Sequence, residues 1–412
     1  MGLLLLSGVR PAVAQTALQS WQDVGSFEMK GDLAAYWSVY DWSAINRQRA
    51  AERGFRRLAL VDPFASRANG PAGRITGSPN DRNPWVKPSH FESTVKADLQ
   101  RTASQFVPGV QDLVLNIEHD FDQNAGNAWN DPEVRAASGV QSQDNFESAY
   151  FQQWASWFNL PAQWAREMYP GVRLGFYGPQ PFRRDYWGIA GKDAQQIDGT
   201  HANDALLWRF IDSEVDFYVA SIYLFYDKPD SVFYMASNVE ENFVRTRYLG
   251  NKPIYAYQWM RYHGSNKALG NREVEPYLAE AMALVPYFSG AKAVVLWGNE
   301  PQVRREDDGH PYAHLGAYVS GLQRIARLSE KIGKATPHLD PPAHVLWNRQ
   351  QPLVRRLDVG PGECVILALN PWQGETQQSE ATIDCAGQPV SLTMAGRKAT
   401  LAHVENGQLQ LH

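Results

Sequence analysis

Asp112-Leu113-Val114-Leu115-Asn116-Ile117-Glu118-His119-Asp120 is an apolar run of strand length that ends in polar groups. It shows little alternation, the pattern of a strand buried on both faces of a parallel sheet. Six more such runs surround it, at 33–40, 57–61, 172–178, 216–224, 253–259 and 292–298. Helical stretches separate them. One starts at Asp144 with Glu147 three residues on, a capping-box pattern, and puts Tyr150, Trp154, Trp157 and Phe158 on one face. Packing on a sheet accounts for that stripe. Further helices are expected over 273–288 and 313–333, the second with Leu315, Val319, Leu322 and Ile325 at helical spacing and Gly333 as its stop.

Strands alternating with helices over roughly 300 residues specify an α/β protein, either an open doubly wound sheet or a barrel. No G-x-G-x-x-G or G-K-[ST] loop follows the first strands, which argues against a nucleotide-binding sheet and calls for no cofactor. The expected fold is a distorted (β/α) TIM-like barrel of seven or eight parallel strands over residues 15–336. The pattern changes near Pro337. Pro341-Pro342 resembles a linker, and the short runs 364–369 and 390–394, separated by Gly, Pro and Asn-Gly turns, predict a small antiparallel β domain over 337–412.

The 412-residue chain carries 39 Lys+Arg against 44 Asp+Glu, a net charge of −5, which excludes a polybasic nucleic-acid binder. No stretch approaches the roughly 18–20 apolar residues that span a bilayer. Met1-Gly-Leu-Leu-Leu-Leu-Ser is a short apolar run, and Ala12-Val13-Ala14 before Gln15 has the small-x-small form of a signal-peptidase site. Residues 1–14 therefore read as the remnant of a signal peptide, and the protein as secreted or periplasmic. The two cysteines, Cys364 and Cys385, fit no zinc or redox spacing; an oxidising compartment would permit a disulfide between them.

In a parallel barrel the chemistry stands at the C-terminal ends of the strands. Asn116 and Glu118 are two apart and so share one side of their strand. A Glu ending an apolar run sits where desolvation raises its pKa, as a general acid requires. The other strands end in Gly175-Phe176-Tyr177-Gly178, Ser221-Ile222-Tyr223-Leu224, Tyr257-Gln258-Trp259 and Leu296-Trp297-Gly298-Asn299-Glu300. With 14 Trp, 18 Tyr and 17 Phe in the chain, aromatic residues with polar tips gather at one face of the expected barrel. Aromatic walls, amide and hydroxyl donors and a raised-pKa acid are what glycoside hydrolysis needs.

The ordered set x-x-Glu, Gly-Phe-Tyr-Gly, Ser-Ile-Tyr-Leu and Val-Leu-Trp-Gly resembles the hyaluronidase family of glycoside hydrolases, over roughly residues 33–331. The resemblance implies a TIM-like barrel hydrolysing a hexosamine-containing polysaccharide. It implies that the substrate's acetamido oxygen is the nucleophile and that Glu118 is the acid/base. By the same match Tyr177 and Tyr223 line the reacting sugar and Trp297 forms its floor. Tyr257, Trp259 and Asn299 are further substrate-binding candidates from their places at the strand ends alone. Where the family has Asp, this chain has Asn116, which can hydrogen-bond but supplies no negative charge to a developing oxazolinium. The family's framework cysteines are absent as well. Glu300 is the leading protein carboxylate should the nucleophile come from the enzyme, with Asp120 and Asp122 behind it.

Weaker patterns complete the reading. Asp120, Asp122, Asn124 and Asp131 follow a calcium-loop count with the glycine one place late and no Glu at the end, so no metal is expected there. His310 and His314 lack the rest of a zinc motif and suit a solvated helix start. Arg183, Arg184, Arg261, Arg304 and Arg305 follow strands on the active face, either as a grip on uronate carboxylates or as part of a mixed charged rim. A non-catalytic carbohydrate-binding protein is the first rival reading, favoured by Asn116; a structural envelope protein with a vestigial cleft is the second. Protein from the native host is expected to begin at Gln15. N-terminal sequencing that returned intact Met1 on cytosolic protein would overturn the export reading.

Overall fold

The computed structural model describes residues 25–39, 44–62, 83–87, 90–106, 109–117, 124–179, 186–201, 204–298 and 313–412. Parallel strands β1 (Ala34–Val39), β2 (Arg56–Arg57), β3 (Ala59–Val61), β4 (Asp112–Asn116), β5 (Arg173–Tyr177), β6 (Tyr218–Ser221), β7 (Ile254–Gln258) and β8 (Ala293–Gly298) form its first part. They run in the orders β2-β1-β8-β7-β6 and β3-β4-β5. Two links join these arcs. β2 and β3 are halves of one strand, separated only by Leu58, with β2 paired to β1 and β3 to β4. At the other seam the Asp216 amide donates to Leu174 O at 2.7 Å and the Leu174 amide to Asp216 Oδ2 at 2.8 Å, tying β6 to β5. Among the described residues the ring closes on seven strand positions, as a TIM-like barrel.

Side chains alternate strictly between the two sides of the ring. Leu113, Leu115, Leu174, Phe176, Tyr218, Ala220, Ile254, Ala256, Val294 and Leu296 face the helices. Leu58, Val114, Phe217, Val219, Tyr255, Tyr257, Ala293 and Val295 fill the interior. Both sets are apolar, which explains the unbroken apolar runs of the sequence. The N-terminal end is plugged by a polar knot. Asp112, buried at the start of β4, accepts from Tyr36 OH and pairs with Arg173 at 2.6 Å, and Arg173 donates to Tyr255 OH at 3.2 Å. Tyr255 lies flat on Phe217 at 4.1 Å. A Cβ on Gly175 would come within 2.3 Å of the Phe217 ring, so this glycine makes the room that Phe217 fills. Burial, then Tyr255 and Asp112, push the Tyr36 hydroxyl far above its usual range, which keeps it a donor.

Among the helices, Gln143–Met168 carries the aromatic stripe. Tyr150, Trp154, Trp157 and Phe158 are all buried, and Phe91 meets Trp157 edge-on at 5.0 Å. Much of the aromatic excess is therefore core. The helix begins one residue earlier than the sequence suggests, after Ser142, and no side-chain bond caps it, so the Asp144/Glu147 capping box does not form. The last barrel helix, Ala313–Lys334, runs through Gly333 instead of stopping there. A Cβ at Gly333 would meet Asp32 Oδ1 at 2.6 Å, the tip of an exposed side chain that can turn away, so neither a stop nor tight packing fixes the glycine there. No helix among the described residues is long and apolar enough to cross a membrane.

Beyond the barrel, β9 (Thr336–His338), β10 (Leu353–Gly360), β11 (Glu363–Leu369), β14 (Thr400–Glu405) and β15 (Gln408–Leu411) form an antiparallel sheet in the order β15-β14-β11-β10-β9. A hairpin of β12 (Gln378–Cys385) and β13 (Gln388–Ala395) covers one face. Cys364, Ile366 and Ala368 of β11 point at the hairpin, where Cys364 and Cys385 form a disulfide. Val365, Leu367 and Leu369 point the other way and join the core of the barrel helices. The segment at Pro341-Pro342 is not a loose spacer, since Pro342 begins a short helix, Ala343–Asn348, whose first amide donates to Glu240 Oε2 at 2.8 Å.

Glu240, on the barrel helix Asp230–Arg245, also binds Arg355 of β10 at 2.6 and 3.1 Å, with both side chains almost wholly buried. Losing one partner strands a buried charge, whereas losing both does not. Arg355→Met or Glu240→Gln is expected to cost about 3–5 kcal/mol, and the double replacement Glu240→Leu/Arg355→Met markedly less. Urea midpoints check this; single and double variants of equal stability would show that the pair does not tie the sheet to the barrel.

Candidate active site

The open end of the barrel is built by residues two apart along each strand. Asn116 ends β4 on the interior side, two residues after Val114 and level with Tyr177 across the β4–β5 ladder. The Ile117 amide adds a last rung to Tyr177 O at 2.8 Å. Tyr177 ends β5 and donates to Ser221 Oγ of β6 at 3.2 Å. Ser221 and Tyr223 share the interior side, the strand direction being carried past Ser221 by the Ile222 amide on Tyr257 O at 2.9 Å. Tyr255, Tyr257 and Trp259 rise along β7, and Val295 and Trp297 along β8.

These positions form one aromatic cluster. Tyr177 meets Tyr257 at 5.1 Å and Tyr223 at 6.1 Å between ring centres. Tyr223 stacks on Trp297 at 5.4 Å, and Trp259 stands edge-on to both, at 6.2 Å from Tyr223 and 5.5 Å from Trp297. Tyr257 is buried beneath, while Tyr177, Trp259 and Trp297 are partly exposed. Asn116 Oδ1 is buried with no hydrogen-bond partner among the described residues, an unmet acceptor at the mouth. Five aromatic candidates and Asn116 are thus at one end of one barrel. All are uncharged, and none is a carboxyl able to act as a general acid near neutral pH.

Glu118, Asn299 and Glu300 lie outside the described residues, as do Asp120, Asp122, Arg183, Arg184, Arg304, Arg305 and His310. Asn124 and Asp131 have structural work: Asn124 Oδ1 accepts the Asn127 amide at 3.0 Å, and Asp131 Oδ1 the Glu133 amide at 2.9 Å, each capping a helix. Arg261 is no free grip for a uronate. It faces Glu273 at 3.7 Å and donates to Asn271 O. His314 is not solvated either: it is buried, with Nδ1 3.3 Å from Glu273 Oε2.

Two residues that the sequence reading did not single out belong to this mouth. Ser221 bonds Tyr177 and was within reach of the period-2 rule, being two residues before Tyr223. His263 lies flat against Tyr223 at 6.3 Å; it falls in a turn beyond β7, where no periodicity marks it. Away from the mouth, Glu363, His403 and Glu405 bring ligand atoms within 4.8 Å of one another. There the Lys331 ammonium already bonds Glu363 and is the first cause holding its carboxyl below the usual range, so the group is an ionic link between helix and sheet.

No protein-family model and no curated protein matches the sequence. Several solved structures are similar at low identity. A bee venom hyaluronidase is 13% identical over 76% of this chain and 99% of its own, with a TM-score of 0.40. An α-L-fucosidase isoenzyme from Paenibacillus thiaminolyticus is 9% identical over 71% and 40%, at 0.43. A β-galactosidase from Rahnella sp. R3 is 10% identical over 76% and 52%, at 0.44.

Gly298, at φ +123°, ends β8 against the Trp259 indole, and a Cβ there would stand 2.2 Å from Cδ1 and 2.3 Å from Nε1. Gly298→Ala is expected to displace that ring, to alter the near-ultraviolet circular dichroism of the Trp259–Trp297 pair and to cost about 1–3 kcal/mol. An unchanged spectrum and stability would mean that the indole does not rest on Gly298.

Proposed function

We propose that the chain is an exported glycoside hydrolase that cleaves a hexosamine-containing polysaccharide at the open end of its barrel. The observation that carries this reading is the convergence of Asn116, Tyr177, Tyr223, Tyr257, Trp259 and Trp297 at the C-terminal ends of the strands, where barrels of this kind do their chemistry. The resemblance of the strand-end motifs to hyaluronidases supports the same class. Export rests on the Ala12-Val13-Ala14 site, and the Cys364–Cys385 bond suits an oxidising compartment.

In this reading Glu118, two residues beyond the inward-facing Asn116, is the general acid. It protonates the glycosidic oxygen as the C1–O bond breaks, and the substrate's acetamido oxygen bonds to C1. Water then attacks C1, Glu118 takes its proton, and the acetamido oxygen leaves. Asn116 Oδ1 has a vacant acceptor for the acetamido N–H but no charge to steady the oxazolinium. The alternative is a two-carboxylate mechanism with Glu300 as the protein partner. The uncharged Asn116 also favours a second reading, a carbohydrate-binding protein using the same mouth without hydrolysis.

Release of reducing ends from a polysaccharide panel separates enzyme from binder. Glu118→Gln is expected to lower kcat by about 10²- to 10⁴-fold. If the protein supplies the nucleophile, Glu300→Gln collapses similarly and azide restores turnover with inverted product; if the substrate does, Glu300→Gln stays near normal and a thiazoline inhibits. Wild-type rates in Glu118→Gln would place the acid elsewhere.

A further inference from the structure

The turn after β7 sets a histidine beside the aromatic cluster in a defined state. The His263 amide donates to Leu224 O at 2.7 Å, and Asn266 Nδ2 donates to Phe225 O at 2.7 Å, so the turn is pinned to the chain leaving β6. The imidazole lies within 19° of parallel to Tyr223, whose ring is also stacked on Trp297 at 5.4 Å. Phe225 flanks it at 5.0 Å. Its Nδ1 accepts the Ser265 amide at 3.2 Å and lies 2.9 Å from Ser265 Oγ. With Nδ1 an acceptor, the neutral ring carries its proton on Nε2. Among the described residues Nε2 has no hydrogen-bond partner, and the residue is partly exposed. Burial also pushes the imidazole below its ordinary pKa, which favours the neutral form.

A neutral donor, held rigid at the rim next to Tyr223, suits a hydroxyl or ring oxygen better than a carboxylate. Two cations of the same turn have partners already: Arg261 has Glu273 and Asn271 O, and Lys267 Nζ donates to Gly264 O at 3.2 Å. We propose that His263 binds the sugar adjoining the reacting one, through Nε2–H to an oxygen acceptor, and that this neighbouring sugar is uncharged. The proposal rests on the carbohydrate reading of the mouth and adds to it a second sugar position with a stated chemistry.

Calorimetry on Glu118→Gln protein tests it, using chitohexaose, cellohexaose and hyaluronan hexasaccharide with their disaccharides, before and after adding His263→Phe or His263→Ala. Phenylalanine keeps the flat ring against Tyr223 and removes the donor. The expected result is a loss of about 3- to 10-fold in affinity for a neutral hexasaccharide with His263→Phe, no change for its disaccharide, and a larger loss with His263→Ala. Equal hexasaccharide affinity in His263→Phe and its parent overturns the role of His263. Tighter binding of the hyaluronan hexasaccharide than of either neutral one, lost in His263→Phe, overturns the uncharged neighbour. Binding of none of these sugars, by the variants or the wild type, overturns the carbohydrate reading and this proposal with it. Binding that depends on His263 without release of reducing ends by the wild type sinks hydrolysis alone and upholds the second sugar position.

Discussion

Closing a parallel sheet into a ring of seven strands imposes one constraint on everything else: the interior has to be filled without water and without voids. Apart from β2, the strands then bury both faces, and the interior positions are assigned by a strict period of two. At the N-terminal end the filling is polar but paired, since Tyr36, Asp112, Arg173 and Tyr255 are joined by hydrogen bonds and by the Arg173–Asp112 ion pair. In the middle it is aliphatic and aromatic, with Gly175 yielding its place to Phe217. At the C-terminal end the same register delivers Asn116, Tyr177, Ser221, Trp259 and Trp297 to a common opening. The mouth is therefore a consequence of how the core is filled, not an addition to it.

That dependence explains what was legible in the sequence. Long apolar runs identify strands buried on both sides, and counting by two along them finds Tyr177, Tyr223, Tyr257, Trp259 and Trp297 as members of one face. Local signals did less well. Ser142, and not Asp144, precedes the long helix, and Gly333 lies one residue inside the end of its own helix. Helix ends shift by a residue or two for reasons that a pattern of residue types does not carry. A place after a strand suggests a charged rim for Arg261, and a helix start suggests a solvated site for His314. Their common partner Glu273 stands ahead of the helix Pro276–Phe288, in an isolated bridge to Arg261 that no periodicity marks. His263 went unnoticed for the same reason.

The antiparallel sheet depends on the barrel in turn. One face of β11 belongs to its own small core with the disulfide, and the other to the core of the barrel helices. Arg355 faces the barrel as well, with Glu240 as its counter-ion, and the same carboxylate receives the first amide of the 343–348 helix. One buried charge thus sets the register between sheet, linker and barrel. An apolar contact would tolerate sliding; a bidentate pair in a dry interface does not.

The polar knot at the N-terminal end has a further meaning for traffic. With Tyr36, Tyr255 and Phe217 packed across the axis, and Leu58, Val114, Val219 and Val295 above them, the barrel is closed along its axis and is not a tunnel. On the proposed reading, a polysaccharide reaches the strand ends from one side only, and the two products of a cut separate on the side from which the chain came.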